Sequence, residues 1–114
     1  MKNFIRSFGF AFSGIFKLLR SERNFAIQFL AMIIAVIAGF YFSITVSEWL
    51  TILCISALVL SLEALNSAIE KVCDLYSTEE DSRIKLIKDI AAGAVFISAI
   101  FAGVIGVIVF GKYF

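Results

Sequence analysis

Hydrophobic and polar positions alternate along this chain on the scale of whole segments. Asn24 to Ser47 carries no charge over 24 residues, Ile90 to Gly111 none over 22, and Trp49 to Ile69 a single one, Glu63. Each stretch reaches the roughly 20 apolar residues that a membrane-spanning helix needs. The pattern predicts three transmembrane helices, over 24–47, 49–69 and 90–111, with a tight turn at Ser43 to Glu48 between the first two. Trp49 stands where an interfacial aromatic anchor is expected. Ahead of the first span, Lys2, Arg6, Gly9, Ser13, Lys17 and Arg20 recur at steps of three or four. Phe4, Phe8, Phe12, Ile15 and Leu19 recur in the same way on the other side. Residues 1–20 therefore predict an amphipathic helix, basic on one face and rich in phenylalanine on the other, suited to the membrane interface or to packing on other helices. With no repeat, linker or low-complexity tract, the expectation is one all-α integral membrane domain over 1–114.

Composition agrees. The 114 residues are 61% hydrophobic and 17% charged, against about half and a quarter in a soluble domain. Mean hydropathy is +1.01. Lysine and arginine set the expected orientation: five precede the first span, four (Lys71, Arg83, Lys85, Lys88) lie between the second and third, and only Lys112 lies elsewhere. The positive-inside bias puts the N-terminus and the second loop in the cytoplasm and the C-terminus outside. The absence of histidine excludes Ser-His-Asp triads and His-ligated metals. Cys54 and Cys73 form no metal-spacing motif, and Cys54, inside an apolar segment, is expected to pack. A net charge of +1 gives no case for nucleic acid as a partner. Arg6, Lys17 and Arg20 interrupt the apolar residues near the start, so no cleavable signal peptide is expected.

The chemistry concentrates in Ser61-Leu-Glu-Ala-Leu-Asn-Ser-Ala-Ile-Glu-Lys-Val-Cys-Asp74. At about 100° per residue, Glu63, Asn66, Ser67, Glu70 and Asp74 fall within about 100° of one another, and Ser56 extends this polar edge. Counted from Trp49, Glu63 lies roughly 20 Å along the helix, within a hydrocarbon core of about 30 Å. A charge there costs at least about 2.5 kcal/mol on insertion scales. Such a carboxylate needs a partner or a high proton affinity, which suits a general base. Glu70, nearer the boundary, suits magnesium. Lys88-Asp89 opens the third span, and Glu22, in Ser21-Glu-Arg-Asn24, precedes the first. Taken singly, Lys88 reads as a snorkelling lysine and Glu22 as a solvated charge. Together these residues put carboxylates, one deeper carboxylate and a lysine at one membrane level, an inventory for phosphoryl transfer to a membrane-embedded hydroxyl. None of the seven glycines opens a Walker A motif, and no kinase-type glycine loop or Asp-Phe-Gly occurs. Any nucleotide site must be built from helices.

Glu63-x-x-Asn66-Ser-Ala-Ile-Glu70-x-x-x-Asp74, followed after eighteen residues from Glu70 by Lys88-Asp89, resembles the signature of the small prokaryotic diacylglycerol kinases, a family that includes the undecaprenol kinases. The resemblance covers nearly the whole chain, including Glu22 and Ala91-Ala92-Gly93-Ala94-Val95. It implies a homotrimer with active sites between subunits, ATP-Mg²⁺ arriving from the cytoplasm and a lipid alcohol from the bilayer. It implies Glu63 as the base, Glu22 and Glu70 as metal ligands, Lys88 on ATP phosphate with Asp89 nearby, and Asn66 supporting the acceptor or Glu63. The loop around Glu79 to Asp81 is similar in position to a nucleotide-contacting loop. Gln28 stands where the better-known diacylglycerol kinase branch has a glutamate, and the segment before Glu22 lacks that branch's tryptophans. Ser-Glu-Arg-Asn-Phe25 and Asp89-x-Ala-Ala-Gly-Ala-Val95 look more like the undecaprenol kinase branch and point to undecaprenol as acceptor.

Two rivals come from other classes. An ion-coupled transporter also uses an intramembrane glutamate, but its carboxylate belongs near the midplane, whereas the polar groups here crowd one end. A structural assembly subunit explains Asn66 and Ser67 as helix glue and leaves Glu63, Glu70, Lys88 and Asp89 unexplained. Independently of any resemblance, a polar edge on the second span should face protein rather than lipid. Ala99-x-x-x-Gly103 and Ala102-x-x-x-Gly106 allow close helix contacts.

Overall fold

A computed structural model of the chain describes residues 1–77 and 79–114. The described residues form four α-helices: α1 (Lys2–Ser21), α2 (Arg23–Phe42), α3 (Val46–Tyr76) and α4 (Ser82–Gly111). The last three are each long and apolar enough to cross a membrane. In a hydrocarbon solvent every backbone N–H and C=O must bond within its own segment, so apolar runs of this length have little alternative to the helix.

α3 and α4 are longer than their charge-free stretches. α3 has 31 residues, about 46 Å, and continues through Lys71 and Asp74 to Tyr76. α4 begins at Ser82, eight residues before its apolar run. Loss of hydrophobicity marks where a helix can leave the hydrocarbon, and charged residues that are good helix formers do not end the helix there. What ends these helices is local. Asp81 caps α4 by accepting the Arg83 N–H at 2.8 Å. At the other end of the bundle Ser43 takes a left-handed conformation (φ 50°, ψ 56°) that closes α2. Thr45 then starts α3 with a capping box: its hydroxyl accepts the Glu48 N–H at 3.2 Å, and Glu48 accepts the Thr45 N–H at 3.0 Å. α1 and α2 are separated by one residue, Glu22, in an extended conformation (φ −109°, ψ 106°).

Packing runs along one seam. The buried residues of α4 are Ile84, Ala91, Val95, Ser98 and Val109, and those of α3 are Ile52, Val59, Glu63, Ser67 and Cys73. Their dominant steps of three, four and seven set side by side the faces that meet in near-parallel helix packing. The polar edge of α3 therefore lies partly on its buried side, with Glu63 and Ser67 only 5% and 4% exposed. At the Ser43 end, Ile44, Ile52 and Val109 form a small core under Trp49, Phe42, Ile105 and Tyr113. The ring of Phe42 stacks on Tyr113 at 5.2 Å. Glu48 ties this end together, accepting the Tyr113 hydroxyl at 3.0 Å and pairing with Lys112 at 2.5 Å. Elsewhere the spans turn large apolar side chains outward, Phe96, Val107 and Ile108 among them. Cys54, expected to pack, lies exposed on this outer surface. α1 buries none of its residues, and its Phe4, Phe8 and Phe12 are exposed. Phe10, also exposed, falls beside Arg6 and Lys17 around the helix, so the apolar surface of α1 is wider than a single stripe.

Gly39 is the one glycine at which a side chain has no room: a Cβ there would meet the Trp49 indole at 2.6 Å. Gly39→Ala is expected to cost about 1–3 kcal/mol through this overpacking, read as a lowered thermal midpoint in detergent micelles. Gly14→Ala, where nothing lies within 4 Å, serves as the comparison and should leave the midpoint unchanged or raised. Equal midpoints for the two variants would show that Trp49 does not hold this corner.

Candidate active site

The four helices bring most of the candidate residues to the end of the bundle that holds the α3–α4 loop. Glu63 is buried in the α3–α4 seam, and the groups that act on its carboxylate are the charges of Glu70 and Glu22, with no hydrogen-bond donor among them. Glu70, two turns further along α3, accepts the Asn66 side-chain N–H at 3.4 Å. The other half of that amide, Asn66 Oδ1, is buried and has no partner among the described residues. Glu22 reaches α3 from the α1–α2 joint and pairs with Lys71 at 2.8 Å. Lys88 crosses from α4 to α3 and pairs with Asp74 at 2.8 Å, within range of the charge of Glu70. Residues far apart in sequence, from 22 to 88, thus converge.

Asp89 does not join them. One residue on from Lys88 turns the helix by about 100°, and Asp89 is exposed and pairs with Lys85, one turn earlier, at 2.6 Å. The partners that Lys88 and Glu22 do have, Asp74 and Lys71, are the contribution of the structure. Asp74 lay on the polar edge with no role of its own, and Lys71 was read only for its orientation signal. Neither pairing can be found from spacing, because each joins two helices.

Two cavities open along the bundle, the first of them at this cluster. One, of about 640 Å³, opens at the α3–α4 loop and is lined by Asp74, Ser77, Asp81, Lys85 and Lys88 among others. It coincides with the loop around Glu79 to Asp81; Thr78, within that loop, lies outside the described residues. The second, of about 310 Å³, runs between α2, α3 and α4 and is lined by Gln28, Ser56, Val59 and the small residues Ala99, Ala102 and Gly106, among others. Val59 is one turn from Glu63 on the buried side of α3, so this cavity leads away from that carboxylate toward the Ser43 end.

Among the described residues no three carboxylates or thiols close into a ready metal site. Glu63 is near enough to Glu70 and Glu22 to feel their charges, while Glu22 is turned onto Lys71 and Glu70 onto Asn66. The set is all oxygen, as a hard divalent cation requires.

The sequence profile of the prokaryotic diacylglycerol kinases matches residues 9–110. The chain belongs to that family. The match spans Glu22, Glu63, Asn66, Glu70, Lys88 and Asp89. Among its relatives, the undecaprenol kinase of Bacillus subtilis is 36% identical over 110 residues, covering 96% of this chain and 89% of the relative. The diacylglycerol kinase of Synechocystis is 32% identical over 105 residues, 91% of this chain and 60% of the relative. The chain is therefore an enzyme, a kinase of the lipid kinase family, and ATP is the phosphoryl donor that such a family implies.

The loop offers a titration that reports on local order. The Arg83 guanidinium and its amide hold the Asp81 carboxyl at about 2, below its ordinary 3.8. A lowered value means that the cap contributes above the ordinary value and is lost only as pH falls through about 2. The Arg83 amide resonance should accordingly titrate with a midpoint near 2. A midpoint near 4 would show that these contacts do not hold Asp81 in solution.

Proposed function

We propose that this lipid kinase transfers the terminal phosphoryl group of ATP to the hydroxyl of undecaprenol in preference to diacylglycerol, at the cytoplasmic face of a bacterial cell membrane. The observation that carries the reading is Glu63, a carboxylate 5% exposed in a helix apolar enough to cross a membrane. It neighbours two further carboxylates and shares their end of the bundle with Lys88. In this reading Glu63 accepts the proton of the lipid hydroxyl as its oxygen bonds to the terminal phosphorus and the bond to ADP breaks. Lys88 leaves Asp74 for the phosphate oxygens and offsets their charge. Asn66, whose Oδ1 has no partner, takes a hydrogen bond from the acceptor hydroxyl or steadies Glu63. Glu22 and Glu70 hold Mg²⁺, which when bound supplies charge neutralisation for the phosphates. Asp89 acts from the rim of the nucleotide site. The loop cavity suits the nucleotide, and the narrow cavity beyond Val59 suits the first part of the acceptor's hydrocarbon chain.

Nine of the ten lysines and arginines lie either within residues 2–23 or within residues 71–88, which favours a cytoplasmic N-terminus and an external C-terminus. α1, with its phenylalanines exposed, suits an amphipathic helix lying in the interface. A homotrimer with sites between subunits accords with the open apolar flanks of α2 to α4 and with the small residues of α4. The likeness to a relative named undecaprenol kinase over nearly its full length favours that acceptor. The diacylglycerol kinase relative keeps diacylglycerol as the second reading.

The test is phosphate transfer from labelled ATP in mixed micelles, with undecaprenol and diacylglycerol compared. Undecaprenol should be labelled faster. A preference for diacylglycerol would move the acceptor assignment, and transfer to neither by assembled protein would favour a transporter or a scaffold. Glu63→Gln should retain nucleotide binding and lose at least about a hundredfold in kcat, the scale of general-base catalysis; full turnover would remove that role. Glu70→Ala should raise the Mg²⁺ concentration needed for half-maximal rate, and an unchanged requirement would sink the metal assignment.

A further inference from the structure

Glu22 occupies the single residue between α1 and α2, and its extended backbone aims the side chain at α3. There it meets the Lys71 ammonium at 2.8 Å. The neighbouring negative charges on that side are Glu70 and Asp74, both of which also act on Lys71. Lys71 thus stands among the carboxylates as the cation nearest to Glu22, at the position from which Glu22 would have to turn to ligate a metal. An ammonium and a divalent cation cannot both hold the same carboxylate oxygen at bonding distance. The pair is also weak because of its surroundings: the two side chains are 62% and 30% exposed, and an exposed ion pair is worth at most a factor of about five.

We propose that Lys71 is a competing cation for the metal site. It holds Glu22 while no metal–nucleotide is bound, relieving the repulsion among Glu22, Glu63 and Glu70, and releases Glu22 when a divalent cation arrives. Lys71 is in this sense a positioning residue that sets the metal concentration at which the enzyme loads, with no contact to the reacting atoms. The inference rests on the assignment of Glu22 as a metal ligand in the proposed function, and its test separates the two.

The experiment is Mn²⁺ binding to the full chain in micelles with a non-hydrolysable ATP analogue, followed by the electron paramagnetic resonance signal of free Mn²⁺. Lys71→Met should bind Mn²⁺ about three- to fivefold more tightly than the unaltered chain, and Lys71→Arg, which keeps the charge and the pairing, should stay within about twofold. Lys71→Gln serves in place of Lys71→Met if that variant fails to assemble. In the Glu22→Gln background the gain from Lys71→Met should vanish. A gain that persists there would mean a general charge effect and would overturn the proposal, as would Mn²⁺ binding that is unchanged or weaker in Lys71→Met alone. Binding unaffected by Glu22→Gln in the otherwise unaltered chain would instead overturn the metal assignment, and the inference with it. A second readout follows from the same competition: in EDTA the Lys71→Met variant should melt below the unaltered chain, and excess Mn²⁺ with the analogue should close that gap. A gap of the same size with and without Mn²⁺ would count against the exchange.

Discussion

Glu63 is buried in a helix apolar enough to cross a membrane, and the cost of that carboxylate organises what surrounds it. A charge removed from water needs compensation, either from a counter-charge and hydrogen bonds or from a proton. Here the nearest charges are of the same sign, Glu70 and Glu22. The compensation has been moved one shell outward, onto Lys71 for Glu22 and Lys88 for Asp74. That arrangement draws three separate parts of the chain, the α1–α2 joint, the far half of α3 and the start of α4, to one end of the bundle. The extension of α3 and α4 beyond their apolar stretches serves the same purpose, because the lysines and aspartates that converge ride on those extra turns.

Burial on this scale is affordable only because the rest of the fold is undemanding. Apart from Glu63, the seam between α3 and α4 is made of Ile, Val, Ala, Ser and Cys rather than large aromatic residues, and a narrow cavity lies beside Val59 and Gly106. Apart from Phe25, buried near the start of α2, the bulky side chains are outward or gathered at the Ser43 end, where Phe42, Trp49 and Tyr113 pack over the small core. A single chain of this kind leaves much apolar surface and a polar cluster open at one end. In the proposed homotrimer, bilayer and neighbouring subunits would cover both.

Much of this was legible in the sequence, for identifiable reasons. Runs of 20 or more apolar residues have one structural outcome in a bilayer, so the all-helical fold and the three candidate spans follow from charge-free windows alone. The polar edge from Ser56 to Asp74 is a property of 100° periodicity and needs no tertiary knowledge. What could not be read was whatever depends on two helices meeting. Lys88 and Asp89 are adjacent in sequence and part company in space, because a helix turns successive residues to different faces. Lys71 was one more basic residue of a loop until α3 proved to continue through it and to set it opposite Glu22. The packing expected of Cys54 failed because an apolar setting in sequence does not say whether a residue faces a helix or the surroundings.

The two glutamates near the opposite ends of α3 show how structural and chemical carboxylates differ. Glu48 accepts from the Thr45 N–H, the Tyr113 hydroxyl and the Lys112 ammonium, so both of its oxygens are engaged and their effect is to fasten the turn, the start of α3 and the end of α4. Glu63 is more deeply buried, yet burial and like charges alone act on it, and Asn66 beside it keeps an unpartnered acceptor. A fold selected for stability alone would have treated both in the first way, since a buried group without partners costs more than a satisfied one gains. The chain can supply such partners, as Glu48 demonstrates, and it places them around the neighbours of Glu63 rather than on Glu63 itself. Burial among like charges at Glu63 and the unpartnered acceptor of Asn66 are therefore features kept at a stability cost, a pattern that fits the roles proposed for them.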